Sequence, residues 1–521
     1  MSASPTGPSV PGAAPLSGLL ATAGGLAVTE VLARGLPLVP SPLDALGQLV
    51  VTWLPGPVVT GAVALFGGAN RAVLLAASLL VALLLGAAVG WLATRSYAAA
   101  LGAIAAVGLV AVLATLTQPG AAVPLVLLVV LVGVGTTAAL LARLLRTLGL
   151  LPGPPGRPPS PTDPPVDRRG FLRLGGATAL GAVGLGVLAR GGGAGGGAGL
   201  DVVTRPAPTV ASPLPPVTSA QDLATRLDGV SPVLTPTQRF FRIDTAVVLP
   251  RVDVTDWRLE VTGLVERELV LSYEDLLARE LVEVDATIAC VSNEVGGDLI
   301  GTARWTGVRL VDLLAEAAPT AAAGQVLGRS VDGFTAGFPL ELARDNRDAL
   351  VAVAMNGETL PLRHGYPARL VVPGLFGYVS ATKWLAAIEL TPWEGVDGYW
   401  IPRGWAKQGP VKTGARIDRP GRDEEVPAGE VVIAGVAWAP TRGISRVEVL
   451  VDGEAAVDAT LVAPLSAATW VQWHARVALP PGEHRLSARA TDGDGVLQSA
   501  GPARPAPDGA EGWHTLRVQA V

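Results

Sequence analysis

The single cysteine of the chain, Cys290, lies in the run Ala286, Thr287, Ile288, Ala289, Cys290, Val291, Ser292, Asn293, Glu294, Val295, Gly296, Gly297, where a β-rich stretch meets a turn of small residues. One cysteine permits no intrachain disulfide and no multi-cysteine metal site. A lone thiol is either a small buried hydrophobe or a reactive group, and as a thiolate it is a soft ligand for a soft metal. A second cluster runs from His364 through Arg369, Pro373, Gly377, Ser380, Ala381 and Thr382 to Lys383 and Trp384, interleaving glycines with hydroxyls, an imidazole and two cations. Such a loop can lay backbone N–H groups and cationic side chains around a flat, anionic, hydrogen-bonding ligand. The competing reading makes Arg369 and Lys383 solvated surface charge, which sits uneasily with the apolar run Leu370, Val371, Val372 and with Trp384. These residues suggest a soft metal with a phosphate-bearing cofactor, and identify neither.

The elements that must hold these groups fall in the second part of a 521-residue chain. From about Ser231 the pattern is α/β: strand-like runs at Trp257–Val261, Ala368–Val372 and Leu385–Leu390, and helical signals at Tyr273–Arg279 and Leu310–Ala317. A boundary is expected near Pro420–Gly429. Beyond it Val431–Ala437, Ser445–Val451, Thr469–Ala478 and His484–Ala490 read as strands joined by Gly, Pro and Asp turns, the signature of a β-sandwich.

Residues 1–200 are almost wholly Ala, Gly, Leu, Val and Pro. Five membrane spans are expected there, near Leu16–Leu38, Leu49–Gly67, Ala72–Thr94, Ala98–Thr117 and Ala122–Leu145, each near the ~20 apolar residues a bilayer requires. The first carries Glu30 and Arg34. The second holds Pro55 and Pro57 and could be re-entrant. A Pro-rich linker, Leu151–Pro165, leads to Arg168, Arg169, Gly170, Phe171, Leu172 and Arg173 ahead of a further apolar helix, then to the Gly-rich tether Gly191–Gly199. The arginine pair resembles a twin-arginine export signal; it also serves as an ordinary positive-inside flank. Either way Arg143, Arg146 and Arg168–Arg173 are expected in the cytoplasm and everything after Ala189 outside. All four histidines, His364, His474, His484 and His514, lie in the second part, so the membrane part has no imidazole pair for haem. The net charge of -5 makes no case for nucleic-acid binding.

Taken in order, Cys290–Gly297, Ala303–Val308 with Trp305, Asp332 and Gly333, Met355 to Gly357, and His364–Trp384 resemble the sulfite-oxidase family of molybdenum enzymes. The resemblance runs from about Arg239 to the C-terminus, and the multi-span preface is similar to membrane-anchored bacterial members. It implies a fold of three parts: a multi-helix transmembrane anchor (1–150, then linker, twin-arginine-like motif and tether over 151–200), an α+β molybdopterin domain (201–425), and a C-terminal immunoglobulin-like β-sandwich for dimerisation (426–521). It implies molybdenum-molybdopterin as cofactor, with Cys290 as the metal ligand. Phe241, Arg242, Ser292, Asn293, Ser330, Asp332, His364, Arg369, Ser380, Ala381, Thr382 and Lys383 would contact the cofactor, and Arg242 would also bind substrate. The implied reaction is two-electron oxygen-atom transfer, such as sulfite oxidation, on the outer side of the cytoplasmic membrane.

Two departures bear on the substrate. The arginine that the family places five residues beyond the cysteine is here Val295, and its pocket tyrosine falls at Trp405. Arg304 or Arg403 could compensate. A pocket poorer in cations would suit a neutral sulfoxide or N-oxide, reduced instead of oxidised. A third reading, of a different class, is a cofactor-free membrane protein that uses the fold for binding or assembly. The expected partners are a small-molecule substrate, a separate cytochrome or quinone-linked electron carrier, the lipid bilayer and a second copy of the chain. Trp438, Trp470, Trp473 and Trp513 are candidates for either the dimer interface or the sandwich core.

Overall fold

The computed structural model describes residues 12–36, 39–54, 58, 61, 70–118, 121–151, 168–194, 203, 205–246, 249–454 and 457–521. The chain divides into two compact units, Met1–Val202 with Ala246–Arg251, and Val203–Thr245 with Val252–Val521.

In the first unit the helices Ala13–Gly35, Ala72–Ala93, Tyr97–Leu116 and Val123–Thr147 are long and apolar enough, by length and composition, to cross a membrane. They correspond to four of the five expected spans. The fifth expectation, 49–67, falls partly on the 12-residue helix Pro42–Trp53 and otherwise outside the described residues. Most of the Pro-rich linker and of the Gly-rich tether also lies outside them. The arginines of the twin-arginine-like motif open a 27-residue helix, Arg168–Ala194, whose Phe171 packs with Ala13, Leu144 and Leu148. A Cβ on Gly18 would stand 2.0 Å from the Gly86 carbonyl oxygen, so only glycine permits so close a helix crossing. Glu30 is no stray charge. Its carboxylate accepts from the Ser41 hydroxyl at 2.7 Å and from the Leu43 N–H at 3.1 Å, capping the start of Pro42–Trp53.

The second unit opens with two sheets that frame the cysteine. In one, the order is Leu269–Leu271, Leu259–Gly263, Leu385–Thr391, Gln325–Ser330, Thr335–Pro339, with a parallel pair between Leu259–Gly263 and Leu385–Thr391. The other is antiparallel: Val282–Ala289, Ile300–Arg309, Leu350–Met355, Glu358–Thr359, with Arg369–Val371 also paired to Leu350–Met355. Leu350–Met355 is buried at every position, which is why it reads as an unbroken apolar run. Helix Leu310–Ala317 buries Leu310, Leu313, Leu314 and Ala317, one face at helical spacing. Ser272 and Asp275 form a capping box at the start of Tyr273–Leu277.

The C-terminal region contains a second sheet pair. Gly414–Arg419, Gly429–Trp438, Val471–Leu479 and Thr460–Leu461 form one sheet; Glu424–Val426, His514–Ala520, Gly482–Asp492, Ile444–Val451 and Val457–Asp458 form the other. Both contribute to one core that includes Ile433, Val447, Val449, Trp473, Leu486 and Val518. Trp438 and Trp470 instead join the core of the first two sheets. Trp513 is half-buried, its Nε1–H donating to the Gln498 carbonyl at 3.2 Å.

This region also braces the strand that leads into Cys290. The Trp470 N–H donates to Thr287 Oγ1 at 2.8 Å, and its Nε1–H to the Val233 carbonyl at 2.9 Å. Ser466 Oγ donates to the Asp285 carbonyl at 2.9 Å, and Arg416 Nη1 to the Gly297 carbonyl at 2.7 Å.

Candidate cofactor site around Cys290

Cys290 follows directly on strand Val282–Ala289, and the turn beyond it returns the chain to Ile300–Arg309. Asn293 closes that turn: its Oδ1 accepts the Leu299 N–H at 2.8 Å, and its own N–H donates to the Cys290 carbonyl at 3.0 Å. The thiol is buried and receives the Ser292 N–H at 3.4 Å. Burial pushes its pKa up; the Ser292 contact and the nearby Lys383 cation work in the opposite direction. Among the described residues no three His, Cys, Asp or Glu side chains gather to hold a metal. A metal at Cys290 therefore takes its other ligands from elsewhere.

The His364–Trp384 segment is buried, not surface. Arg369 is 3% exposed, Lys383 8% and His364 0%. His364 closes a short 3-10 turn, and its Nε2 lies 3.0 Å from the Thr237 carbonyl. A carbonyl only accepts, so Nε2 carries the proton and Nδ1 is a bare acceptor. Burial, and then the Lys383 and Arg369 cations, push the imidazole pKa down to about 3, so the ring is neutral at any ordinary pH. Nδ1 has no hydrogen-bond partner among the described residues, nor has the buried Thr382 Oγ1. Two orphaned polar atoms in one buried segment are available to a polar ligand.

Arg369 lies 4.8 Å over the Trp305 ring and donates from Nη1 to the His364 carbonyl at 3.2 Å. Complete burial lowers its pKa to about 10, with Asp244 opposing, and it stays a cation at neutral pH. Lys383 is lowered to about 8 by burial, again against Asp244. Its Nζ donates to Asp244 Oδ2 at 3.0 Å and to the Ile243 carbonyl at 3.2 Å. Arg242 grips the same carboxylate in a two-pronged contact at 2.8 and 3.1 Å. Burial alone would raise the Asp244 pKa, but Lys383 and Arg242 outweigh it and hold the carboxyl below its ordinary range. Two buried cations, Arg369 and Lys383, thus face one ionised carboxylate, a surplus that favours an anion. Burial, with Asp244 adding to it, raises the Asp332 pKa, against the Ser330 and Phe334 hydrogen bonds.

The aromatic side of the site is Phe240, stacked on Phe241 at 5.2 Å and edge-on to Trp305 and His364 at 5.6 and 5.7 Å. Ser330 and Asp332 come beside Trp384 through the Val331 N–H to Trp384 carbonyl bond at 2.9 Å. The structure thus brings Arg242, His364, Arg369 and Lys383 together and sets Lys383 within electrostatic reach of Cys290. Other expected contacts are already engaged within the chain. Ser380 Oγ donates to the Phe376 carbonyl at 3.0 Å, and the Ala381 N–H to Gly377 at 2.9 Å. Arg304 is held by the Asp285 carboxylate at 2.8 and 2.9 Å and by the Leu214 and Pro215 carbonyls at 3.1 and 3.0 Å, so it is a strut and not a pocket cation. Arg403 stacks on Tyr399 at 3.7 Å. Asp244 was missed from sequence, although the spacing Arg242, Ile243, Asp244 is a usable signal for a local ion pair.

Gly365 lets the segment fold back on itself. Its φ is +109°, and a Cβ there would stand 3.0 Å from Lys383 Cβ and 3.1 Å from Arg369 Cβ. Gly365→Ala is expected to destabilise the fold by about 1–3 kcal/mol through the left-handed backbone and this crowding. Denaturant unfolding of the full chain in detergent measures this; an unchanged midpoint would contradict it.

A family model described as the oxidoreductase molybdopterin binding domain matches residues 246–400. Over 304 residues the chain is 32% identical to mitochondrial sulfite oxidase of Homo sapiens, covering 49% of this chain and 55% of that one. Over 159 residues it is 37% identical to the uncharacterized oxidoreductase YuiH of Bacillus subtilis (strain 168), covering 30% of this chain and 76% of that one. The sulfane dehydrogenase SoxCD of Paracoccus pantotrophus superposes with a TM-score of 0.48 at 24% identity, over 59% of this chain and 87% of that one. The chain spans about half the length of the mammalian sulfite oxidases it matches, 55% for the human protein. The match to the binding-domain model and the coverage of the bacterial relative agree with the buried cysteine and its cationic, aromatic surround: the chain belongs to the sulfite-oxidase family of molybdopterin-dependent oxidoreductases.

Proposed function

We propose that the chain catalyses oxygen-atom transfer on a small-molecule substrate, with molybdenum-molybdopterin held through Cys290. The observation that carries this reading is the pairing of a buried thiol with orphaned polar atoms, His364 Nδ1 and Thr382 Oγ1, under a surplus of buried cations. These donors fit the cofactor. Cys290 offers one sulfur, His364 Nδ1 an acceptor for a ring N–H, and Arg369, Lys383 and Arg242 charge for a phosphate. When bound, the cofactor supplies two-electron oxygen-atom transfer.

The chain's own residues do the rest. Ligation requires Cys290 to lose its proton, and Lys383 with the Ser292 N–H favours the thiolate against burial. His364 stays neutral, so its acceptor is fixed by structure and not by pH. Phe240 holds the imidazole edge-on, and Trp305 lies edge-on to Phe240 and beneath Arg369.

The full chain, purified in detergent from cells that synthesise molybdopterin, should contain stoichiometric molybdenum and pterin. A folded protein lacking both would reject the reading. A second reading, reduction of sulfoxides or N-oxides, is favoured by Val295 and by the engagement of Arg304. Artificial electron donors and acceptors, assayed in both directions, separate the two. We further infer that the apolar N-terminal helices anchor the protein in the cytoplasmic membrane with its catalytic part outside, with or without use of the twin-arginine-like motif. A separate cytochrome or quinone-linked carrier would exchange electrons with it. The C-terminal sheets would form an immunoglobulin-like sandwich that pairs two copies, with boundaries near 200 and 425.

A further inference from the structure

Beside the Cys290 turn lies a cavity of about 390 Å³, bounded by Ala289 and Asn293–Gly296 on one side and by residues of the C-terminal region on the other. Ala289 immediately precedes the cysteine, so the cavity flanks the segment that carries the thiol. Its rim is apolar and open: Val295 is 38% exposed, Val496 60% and Leu497 45%, an unusual grouping of exposed aliphatic side chains. Phe376 and Trp438, both buried, supply aromatic wall.

The charges of the wall lean negative. Lys412 and Arg442 are its only cations among the described residues, against Glu294, Asp492, Asp494 and Glu511. Both cations are also occupied. Lys412 Nζ lies 2.8 Å from Glu511 and 3.0 Å from Asp508, and donates to the Gly509 carbonyl at 3.1 Å. Arg442 Nε contacts Asp492 at 3.0 Å, while its Nη2 donates to Thr413 Oγ1 at 3.1 Å and to the Val411 carbonyl at 3.2 Å. A dianion entering here would meet the exposed carboxylates of Glu294 and Asp494 and cations already held by Glu511 and Asp492, and would lose hydration with little to replace it. An apolar arm would meet the aliphatic rim.

We propose that this cavity admits an uncharged organic molecule with an apolar arm, in the terms of the second reading a sulfoxide, and turns away inorganic dianions. Val295, Asp494 and the paired Lys412 are its specificity determinants. The proposal rests on the cofactor assignment only for the cavity's role beside Cys290; its binding preference is independent of turnover.

The test is calorimetric titration of the full chain in detergent with methyl phenyl sulfoxide and, separately, with sulfate, an unreactive dianion. The sulfoxide should bind and sulfate should not. Val295→Arg should strengthen sulfate binding by roughly tenfold or more, the effect of one new charge-assisted contact. Asp494→Lys, at an exposed position, should move sulfate binding in the same direction without touching the core. Sulfate binding to the unaltered chain as tightly as the sulfoxide, or an absence of sulfoxide binding, overturns the proposal. Sulfoxide binding by a chain that proves free of molybdenum would support the cavity assignment while rejecting the cofactor reading.

Discussion

Cys290→Ser should eliminate turnover while leaving the protein folded. The change replaces a sulfur by an oxygen of similar reach at a buried position where the thiol receives the Ser292 N–H at 3.4 Å, a donor that a hydroxyl also satisfies. The expected loss of stability is therefore small, about 1–2 kcal/mol at most for a buried hydroxyl with a partner. The loss of metal affinity should be far larger. Second-sphere partners of a metal alter affinity or activity by about 10–100-fold, and removal of the ligating sulfur should exceed that. Molybdenum per chain, turnover and the circular dichroism spectrum measure the three consequences separately. A folded serine variant that keeps its molybdenum and its activity would remove Cys290 from the metal site.

Asp244→Ala should give the largest loss of stability of any single change at the site. The carboxylate lies between Lys383 at 3.0 Å and Arg242 at 2.8 Å, with side-chain exposures of 10%, 9% and 23% in that order. Its removal takes the shared carboxylate from Arg242 and from the buried Lys383, which costs about 3–5 kcal/mol where a buried pair is broken. The pH dependence follows from the direction of the shift. The folded state holds the Asp244 pKa below 3.8, so its contribution is present above that value and is lost as pH falls through the lower folded one. The variant should lose this acid limb of the unfolding profile. An anionic cofactor would replace part of the missing charge, so the cofactor-loaded variant should be less destabilised than the cofactor-free one. Equal destabilisation of both forms would argue that Lys383 and Arg242 do not face the cofactor's phosphate.

Much of this was legible in the sequence where the signal is local. The helix Leu310–Ala317 matches its expected bounds because its apolar spacing and its burial coincide. The strand pattern of the C-terminal region was legible for the same reason, since Gly482–Asp492 alternates burial along its second half. The candidate site residues from His364 to Lys383 stood out because chain order alone brings them close. What escaped was long-range partnership. Asp244 meets Lys383 across 139 residues, and nothing near either residue announces the other. Arg304 looked like a spare cation because its partners Leu214 and Pro215 lie in a segment without periodicity. Glu30 stood without an assigned role inside an apolar run, whereas it serves the start of the next helix.

The bonds that run from Trp470, Ser466 and Arg416 to the strand and turn around Cys290 make the C-terminal region part of the site's back wall. Composition suggests two pieces that could be cut apart near residue 425; these contacts instead tie their fates. A chain truncated there would take the Trp470 N–H from Thr287 and the Ser466 hydroxyl from the Asp285 carbonyl, and leave the Gly297 carbonyl without Arg416 only if the cut fell before it. Exchange of this region between relatives would therefore transplant half of a mould, since the strand it braces runs directly into the sulfur.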